Sequence, residues 1–178
     1  MPELRLAAAD DVPALRRLIE ASVRGLSVGY YTEPQVESAL RHVFGPDSQL
    51  IADGTYYVMT DGSGELVAAG GWGRRRTLHG GDQHKAADDP PLDPGTDAAR
   101  IRAFFVHPAW ARRGLARRLF DRCVADAAAA GFRGLELMAT LPGEPLYRAL
   151  GFEPHERSAA TLPDGQVLEV VRMTRPLD

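Results

Sequence analysis

The chain lacks most of what would mark a secreted, membrane-spanning or thiolate-metal protein. Of its 178 residues one is cysteine, Cys123. An intramolecular disulfide is therefore excluded, and a cysteine-based zinc site has too few ligands. There is no run of about twenty apolar residues, so no transmembrane helix is expected. The first residues, Met1-Pro2-Glu3-Leu4-Arg5, carry no basic stretch followed by an apolar one, so no secretory leader is expected either. Positive charge is not in excess. The formal net charge is −3, which argues against a general nucleic-acid binder. With 44% hydrophobic and 25% charged residues, the composition is that of an ordinary globular domain long enough to bury a core. These absences leave a cytoplasmic protein whose partners include neither membrane nor nucleic acid.

What is present is an alternation of strand and helix signals. Leu4-Arg5-Leu6 reads as a short strand. Asp10-Asp11 followed by Pro13 reads as an acidic helix cap with proline in the first turn. Val12, Leu15, Leu18 and Ile19 then recur at helical spacing. A second helix is predicted from Thr32-Glu33-Pro34 towards Arg41. Tyr56 to Met59 and Leu66 to Trp72 form a hairpin across Asp61-Gly62-Ser63-Gly64. Ile101 to Val106 is a strand ended by Pro108. Gly114 to Ala130 is a long helix closed by Gly131. Leu135 to Met138 is a strand, Leu146 to Leu150 a short helix, and two more strands lie near 159–162 and 167–173. Hairpins mixed with β-α-β units predict an α/β fold with a mixed sheet and helices on both faces. No repeat or linker divides the chain. One domain is expected over 1–178, with a long inserted loop at 74–97 that shows no periodicity; loops of that length inside a domain are usually functional or disordered.

The helix beginning near Gly114 breaks local rules. A helix start carries unpaired N–H groups and a partial positive charge, and is usually met by Ser, Thr, Asp or Asn. Here Ala111, Arg112, Arg113 and Gly114 supply no side-chain acceptor, and the arginines have the wrong sign for the dipole, at about 0.3–1 kcal/mol each if exposed. A bound polyanion repairs this, with phosphate held by main-chain N–H groups and neutralised by arginine. A solvated arginine face is the plainer alternative. The pattern matches neither the Gly-x-x-x-x-Gly-Lys loop nor the three-glycine dinucleotide fingerprint.

The stretch Phe105-Val106-His107-Pro108-Ala109-Trp110-Ala111-Arg112-Arg113-Gly114-Leu115-Ala116-Arg117-Arg118-Leu119 resembles the acetyl-CoA motif of the Gcn5-related N-acetyltransferase (GNAT) family. Its usual core is Gln/Arg-x-x-Gly-x-Gly/Ala. Leu146-Tyr147-Arg148-Ala149-Leu150-Gly151-Phe152 resembles the family's later tyrosine and Gly-Phe motif. The element order agrees over all but Arg74–Asp97. The resemblance implies a mostly antiparallel sheet of six or seven strands with one splayed parallel pair. It implies acetyl-CoA as cosubstrate, a primary amine of a small molecule or peptide as acceptor, no metal, and a homodimer as one assembly. By position, it implies that the backbone of Arg112, Arg113, Gly114, Leu115, Ala116 and Arg117 cradles the diphosphate. Phe105 and Val106 would pair with the pantetheine arm, and Tyr147 would stand near the sulfur as general acid. Three positions depart from the pattern: Ala111 stands for Gln/Arg, Thr140 for a frequent Asn, and Arg100 and Arg102 lie where some members carry a catalytic Glu.

For such chemistry the amine must lose a proton, the main-chain N–H near Val106 is the expected oxyanion donor, and a base is needed. Glu136 and His107 are weighed as bases; for Glu136 an outward-facing strand residue is the preferred reading, and for His107 a turn residue before Pro108 is an equal one. His79, Asp82 and His84 have ligand chemistry but no helix to fix their spacing. The inserted loop is read as a substrate lid, with Arg74 to Arg76 and Asp88, Asp89 and Asp93 giving opposite indications of acceptor charge. Cys123 is expected in the core, Trp72 half-buried, and Trp110 beside the diphosphate loop. A catalytically silent acyl-CoA sensor is the main alternative, and a metal-dependent hydrolase a weaker one.

Overall fold

Alternation along the strands assigns each residue a face, and a computed structural model, which describes residues 1–85 and 88–178, shows which helices cover those faces. The strands are β1 (Glu3–Leu6), β2 (Tyr56–Thr60), β3 (Leu66–Gly73), β4 (Ala99–Val106), β5 (Gly134–Thr140), β6 (Glu153–Thr161) and β7 (Val167–Pro176). The helices are α1 (Val12–Leu26), α2 (Glu33–His42), α3 (Ser48–Ala52), α4 (Leu115–Ala129) and α5 (Glu144–Ala149). The seven strands form one sheet in the order β1-β2-β3-β4-β5-β7-β6. Every neighbouring pair is antiparallel except β4 and β5.

On β2, Tyr57 and Met59 face the core built with Leu119, Phe120 and Cys123 of α4. Tyr56 and Val58 face Leu15 and Leu18 of α1 and Leu50 of α3. α2 seats Ala39 against Leu168 and Val170 of β7. The sheet is thus sandwiched between α1–α3 and α4–α5, with apolar burial on both faces as the main stabilising contribution. Among the described residues no helix is long and apolar enough to cross a membrane.

Several local expectations are corrected. Asp11 is not a side-chain cap for α1: its carboxylate accepts from the Ala8 N–H at 2.8 Å and pairs with Arg5 at 2.8 Å, closing a 3₁₀ turn over Ala9–Asp11. α2 does open with a capping box, Thr32 and Gln35 exchanging side-chain and main-chain bonds. α3 is an additional helix, set by Asp47, whose carboxylate accepts from the N–H groups of Gln49 and Leu50 at 3.0 Å each. β6 begins well before residue 159. It is an edge strand exposed along most of its length, so its polar residues show no alternation.

The parallel pair is short. β4 and β5 are in register only at Ala99 with Leu135 and Arg100 with Glu136, and beyond that they diverge. β4 also bulges: Ala69 faces Phe105 and Gly71 faces Arg102, so Ala103 and Phe104 share the place opposite Gly70. Ala103 takes φ 54°. Gly70 is required there, because a Cβ would lie 2.5 Å from the Phe104 ring.

Candidate active site

The divergence of β4 from β5 opens a cleft of about 850 Å³ that runs from the start of α4 to the segment 78–81. At the first end, Gly114 is the helix N-cap in a left-handed conformation, φ 81°, with no side-chain cap. Arg112 also takes a positive φ, 61°. These two turns bring the chain round so that Gly114, Leu115, Ala116 and Arg117 all line the cleft. The N–H groups of a first helical turn have no intrahelical acceptor, and here they open on a space rather than on a capping side chain. The arginine cluster divides in two. Arg112 and Arg117 line the cleft, and Arg113 lies over the Trp110 ring at 4.8 Å. Arg118 instead donates to the Pro2 carbonyl at 2.9 Å, and Arg122 pairs with Asp126 at 3.2 Å. The residues present fit a diphosphate at this end, since they offer unpaired main-chain donors, two cations and no carboxylate.

The walls nearby are fixed. Ser22 of α1 accepts the Val106 N–H at 3.2 Å, so of the main-chain donors near Val106, where the oxyanion contact is expected, Val106's own is engaged. The bulge is where the ladder releases main-chain groups instead. Behind the lining, Tyr31 ties two strand segments together: its hydroxyl donates to the Glu169 carbonyl at 2.7 Å and accepts the Leu141 N–H at 2.9 Å. Burial raises its pKa to about 12. Phe105 and Val106 both line the cleft.

Tyr147 enters from α5. Its ring meets Phe104 edge-on at 6.4 Å and Phe152 at 5.8 Å, and the residue lines the cleft. Burial pushes its hydroxyl well above the usual tyrosine range. α5 is held by Glu144, whose carboxylate takes Arg148 at 3.0 Å and Arg157 of β6 at 2.9 Å. Burial alone would raise the Glu144 pKa, but the hydrogen bonds from Arg157 and Arg148 outweigh it and leave the carboxyl below its ordinary value.

The other end is built by the inserted segment, which is packed rather than loose. Arg102 of β4 is buried and pairs with buried Asp47 at 3.0 Å. It also donates to the carbonyls of Gly80 at 2.6 Å and Thr77 at 3.3 Å. Asp47 takes a second cation, Lys85, at 2.6 Å. Gly81 N–H donates to Val43 O at 2.8 Å, and Asp82 N–H to Pro46 O at 3.1 Å. Leu92 is buried in the α4-side core. Desolvation lowers the Arg102 pKa against the opposing pull of Asp47. This cluster was not legible as a site, although an arginine alternating with inward Ile101 on a central strand does require a buried carboxylate partner.

The other residues that the sequence singles out fall elsewhere, and the charge conflict in the insert disappears. Arg74 lies over Trp72 at 5.2 Å, Arg75 pairs with Asp53 at 2.8 Å, and Asp89 accepts the Thr77 N–H at 2.8 Å. None of Arg74–Arg76, Asp88, Asp89 and Asp93 lines the cleft. Glu136 is bound by Arg100 at 2.7 Å and Arg172 at 2.8 Å and does not line it either. His107 accepts the Ala109 N–H at 3.1 Å as a turn cap. Asp82 is engaged by Ser48 and Lys85. Among the described residues no three His, Cys, Asp or Glu are placed to hold a metal. Trp72 is fully buried against Phe132, and Cys123 is fully buried in the core.

Comparison with known proteins bears on the fold that frames this cleft. No curated protein sequence matches the chain. Among solved structures, a GCN5-related N-acetyltransferase from Rhodopseudomonas palustris superposes with a TM-score of 0.72 at 20% identity, covering 99% of this chain and 96% of that one. A phosphinothricin acetyltransferase from Sinorhizobium meliloti, solved with AcCoA, gives 0.64 at 24%, covering 99% and 88%. A PaiA N-acetyltransferase from Thermoplasma acidophilum, solved with coenzyme A, gives 0.65 at 11%, covering 99% of both chains. At these identities the likeness is one of fold. The family model for the acetyltransferase (GNAT) domain matches residues 52–154, a span that contains the splayed strands, the uncapped start of α4 and Tyr147. The chain belongs to the GNAT acetyltransferase family.

Proposed function

We propose that this protein transfers the acetyl group of acetyl-CoA to a primary amine of a small molecule or peptide, by direct attack of the amine on the thioester. The observation that carries the reading is the start of α4: an uncapped helix turn, shaped by positive φ at Arg112 and Gly114, facing a cleft between splayed parallel strands. Main-chain N–H groups of residues 114–117 hold the diphosphate, and Arg112 and Arg117 neutralise it. Phe105 and Val106 flank the pantetheine arm. The bound coenzyme complexes of the Thermoplasma and Sinorhizobium proteins support the same use of the fold here.

The β4 bulge supplies the main-chain donor for the oxyanion, since Val106 N–H is already engaged by Ser22. Tyr147 is the candidate general acid. Against a thiol, an ordinary tyrosine is the weaker acid by roughly 2 kcal/mol. Burial widens that gap. Tyr147 therefore serves the departing sulfur first as a hydrogen-bond donor, and full proton transfer follows only as the thiolate's charge develops.

The test is thiol release from acetyl-CoA over a panel of amines, read with a thiol reagent. Background from the protein is low, because Cys123 is buried and burial pushes its thiol pKa up. Release with at least one amine is expected. Absence of release across the panel overturns the proposal, and retained coenzyme binding in that case points to an acyl-CoA sensor. Y147F should lower kcat by about 10²-fold with acetyl-CoA affinity unchanged; a silent acyl-CoA sensor would bind the coenzyme and release nothing in either form.

A further inference from the structure

Among the described residues that line the cleft there is no aspartate or glutamate. Apart from Tyr147 and the arginines at the start of α4, the ionisable groups among the described residues lining the cleft are Tyr30, His79 and Arg102, and Arg102 is committed to Asp47, Thr77 and Gly80. His79 is presented by the strip 78–81 of the inserted segment. It borders both the main cleft and a recess of about 30 Å³ walled by Val43, Phe44, Met138, Leu168 and Val170. Its place is enforced from both sides in sequence, because Arg102 binds the carbonyls of Thr77 and Gly80. The His84 ring lies against it, with centroids 4.9 Å apart.

We infer that His79 receives the acceptor's proton during transfer, and that this cleft accordingly favours weakly basic amines, such as α-amines, over lysine-like ones. The inference rests on the transferase reading above and names its base and its acceptor class.

The groups facing His79 decide its state. His84 comes from its own segment; Arg102 comes from β4, with Asp47 and Lys85 behind it. Val43 and Phe44 after α2, Met138 and Thr140 of β5, and Leu168 and Val170 of β7 bring no charge. Desolvation first, then His84 and Arg102, lower the imidazole pKa to about 4. The ring is therefore neutral at pH 7, with a lone pair to offer. Magnitudes then fix when it acts. A lysine-like amine is more basic than this ring by about six powers of ten, and an α-amine by about four. His79 does not strip a bound ammonium. It takes the proton once bonding to carbon has made the nitrogen acidic, so the amine must arrive neutral. At pH 7 roughly one in ten α-amines is neutral, against about one in 2,500 lysine-like amines. With no carboxylate in the cleft to shelter an ammonium, and Arg102 nearby, that ratio passes directly into selectivity.

The step balances. The nitrogen lone pair forms the C–N bond and the carbonyl π pair moves to oxygen. The nitrogen's proton passes to the ring lone pair of His79. The oxygen pair returns as the C–S bond breaks. The sulfur leaves as thiolate and is protonated either by Tyr147, which regains its proton from solvent, or by solvent directly, and His79 returns its proton to solvent.

The experiment compares paired amines of similar body, phenylalanine amide against 2-phenylethylamine and further pairs of that kind, at pH 7 with the whole protein. The α-amino amide should show the higher kcat/KM by more than tenfold. H79Q should lower kcat about 10²-fold with acetyl-CoA affinity within twofold of wild type, and H79N should do the same. The wild-type kcat/KM should rise with pH along the amine's own titration, with no inflection near the ordinary histidine value of about 6.5. Loss of less than twofold in both variants, or preference for the alkylamine, overturns the inference. The His79 ring is read separately by NMR, its signal identified by its loss in H79Q. A ring neutral down to near pH 4 supports the inference, and one that charges near 6.5 overturns it whatever the assay gives. No thiol release by the wild type with any amine overturns the transferase reading instead, and the ring titration still judges His79.

Discussion

At the start of α4 the cleft is bounded by main-chain N–H groups and two left-handed turns, at Arg112 and Gly114. At its far end it is bounded by a segment hung on side-chain charges, with Arg102 and Lys85 sharing Asp47. The first construction needs particular backbone angles and few particular side chains, which is why Ala111 can stand where the family motif has Gln or Arg without removing any main-chain donor. The second depends on one buried carboxylate. A coenzyme shared across a family suits the first. An acceptor that differs between members suits the second, because a few long-range pairs can re-hang an inserted segment without disturbing the sheet.

The largest expected effect follows from removing that carboxylate. D47A leaves Arg102 buried without its partner and also uncaps α3. Loss of one partner of a buried pair costs about 3–5 kcal/mol, and the cap about 1 kcal/mol more, read by urea unfolding. The surviving folded fraction should show a raised acceptor KM with coenzyme affinity within twofold. An equal fall in coenzyme affinity would break the comparison. D47N with R102M and K85M keeps a capping side chain and removes Asp47's charge together with both cations that share it, so it should recover most of the lost stability while leaving the acceptor KM high.

G70A comes next. Its Cβ would sit 2.5 Å from the Phe104 ring, an overpacking of about 1–3 kcal/mol. Phe104 also carries the edge contact to Tyr147, so kcat should fall further than coenzyme affinity. Equal loss of both would mean that the bulge serves the coenzyme rather than the reacting centre.

The same contrast explains what could be read from the sequence. The α4 start was legible because its anomaly is local: four consecutive residues without a capping acceptor, beside arginines of the wrong sign. Tyr147 was legible through Gly151-Phe152, and Phe152 does pack on its ring. The hairpin followed from its turn residues, and the mixed sheet from the order of hairpins and β-α-β units. The far end of the cleft was not legible because its determinants are far apart in sequence: Asp47, Arg102 and the carbonyls of Thr77 and Gly80 meet only in the fold. α3 was missed although Asp47 precedes Leu50 and Ile51 as a cap precedes an apolar turn; five residues are too few for periodicity to show. The inserted segment shows no periodicity in sequence; among its described residues one β-bridge, Arg75 with Pro91, and buried Leu92 fasten it to the fold.

A smaller effect tests the coenzyme end directly. R112G keeps the left-handed turn and removes the side chain. Stability should stay within about 1 kcal/mol, and acetyl-CoA affinity should fall by less than tenfold in titration calorimetry. G114A, which forces a side chain into φ 81°, should weaken binding more than R112G does, although it removes no charge. The reverse order would show that arginine charge, not backbone shape, holds the diphosphate.

The smallest effect concerns the outer fastening of the inserted segment. Arg75 donates two bonds to Asp53, at 2.8 and 3.0 Å, and this hydrogen bonding holds the Asp53 carboxyl below its ordinary value. A carboxyl whose folded pKa is depressed stabilises the fold fully above its unfolded value, about 3.9, and loses that contribution as pH falls through the lower folded value. Arg75 is partly exposed, so solvent screening limits the pair to about 0–1 kcal/mol. The difference in unfolding free energy between wild type and D53N should therefore be small and constant from pH 7 to about pH 5. It should shrink as pH falls below about 4 and be gone once pH is below the lowered folded value. A difference that does not shrink at all as pH falls below about 4 would mean that Asp53 acts through its neutral hydrogen bonds, such as the one from Gln49 at 2.9 Å, and that the segment's outer edge, like its core, owes its place to more than charge.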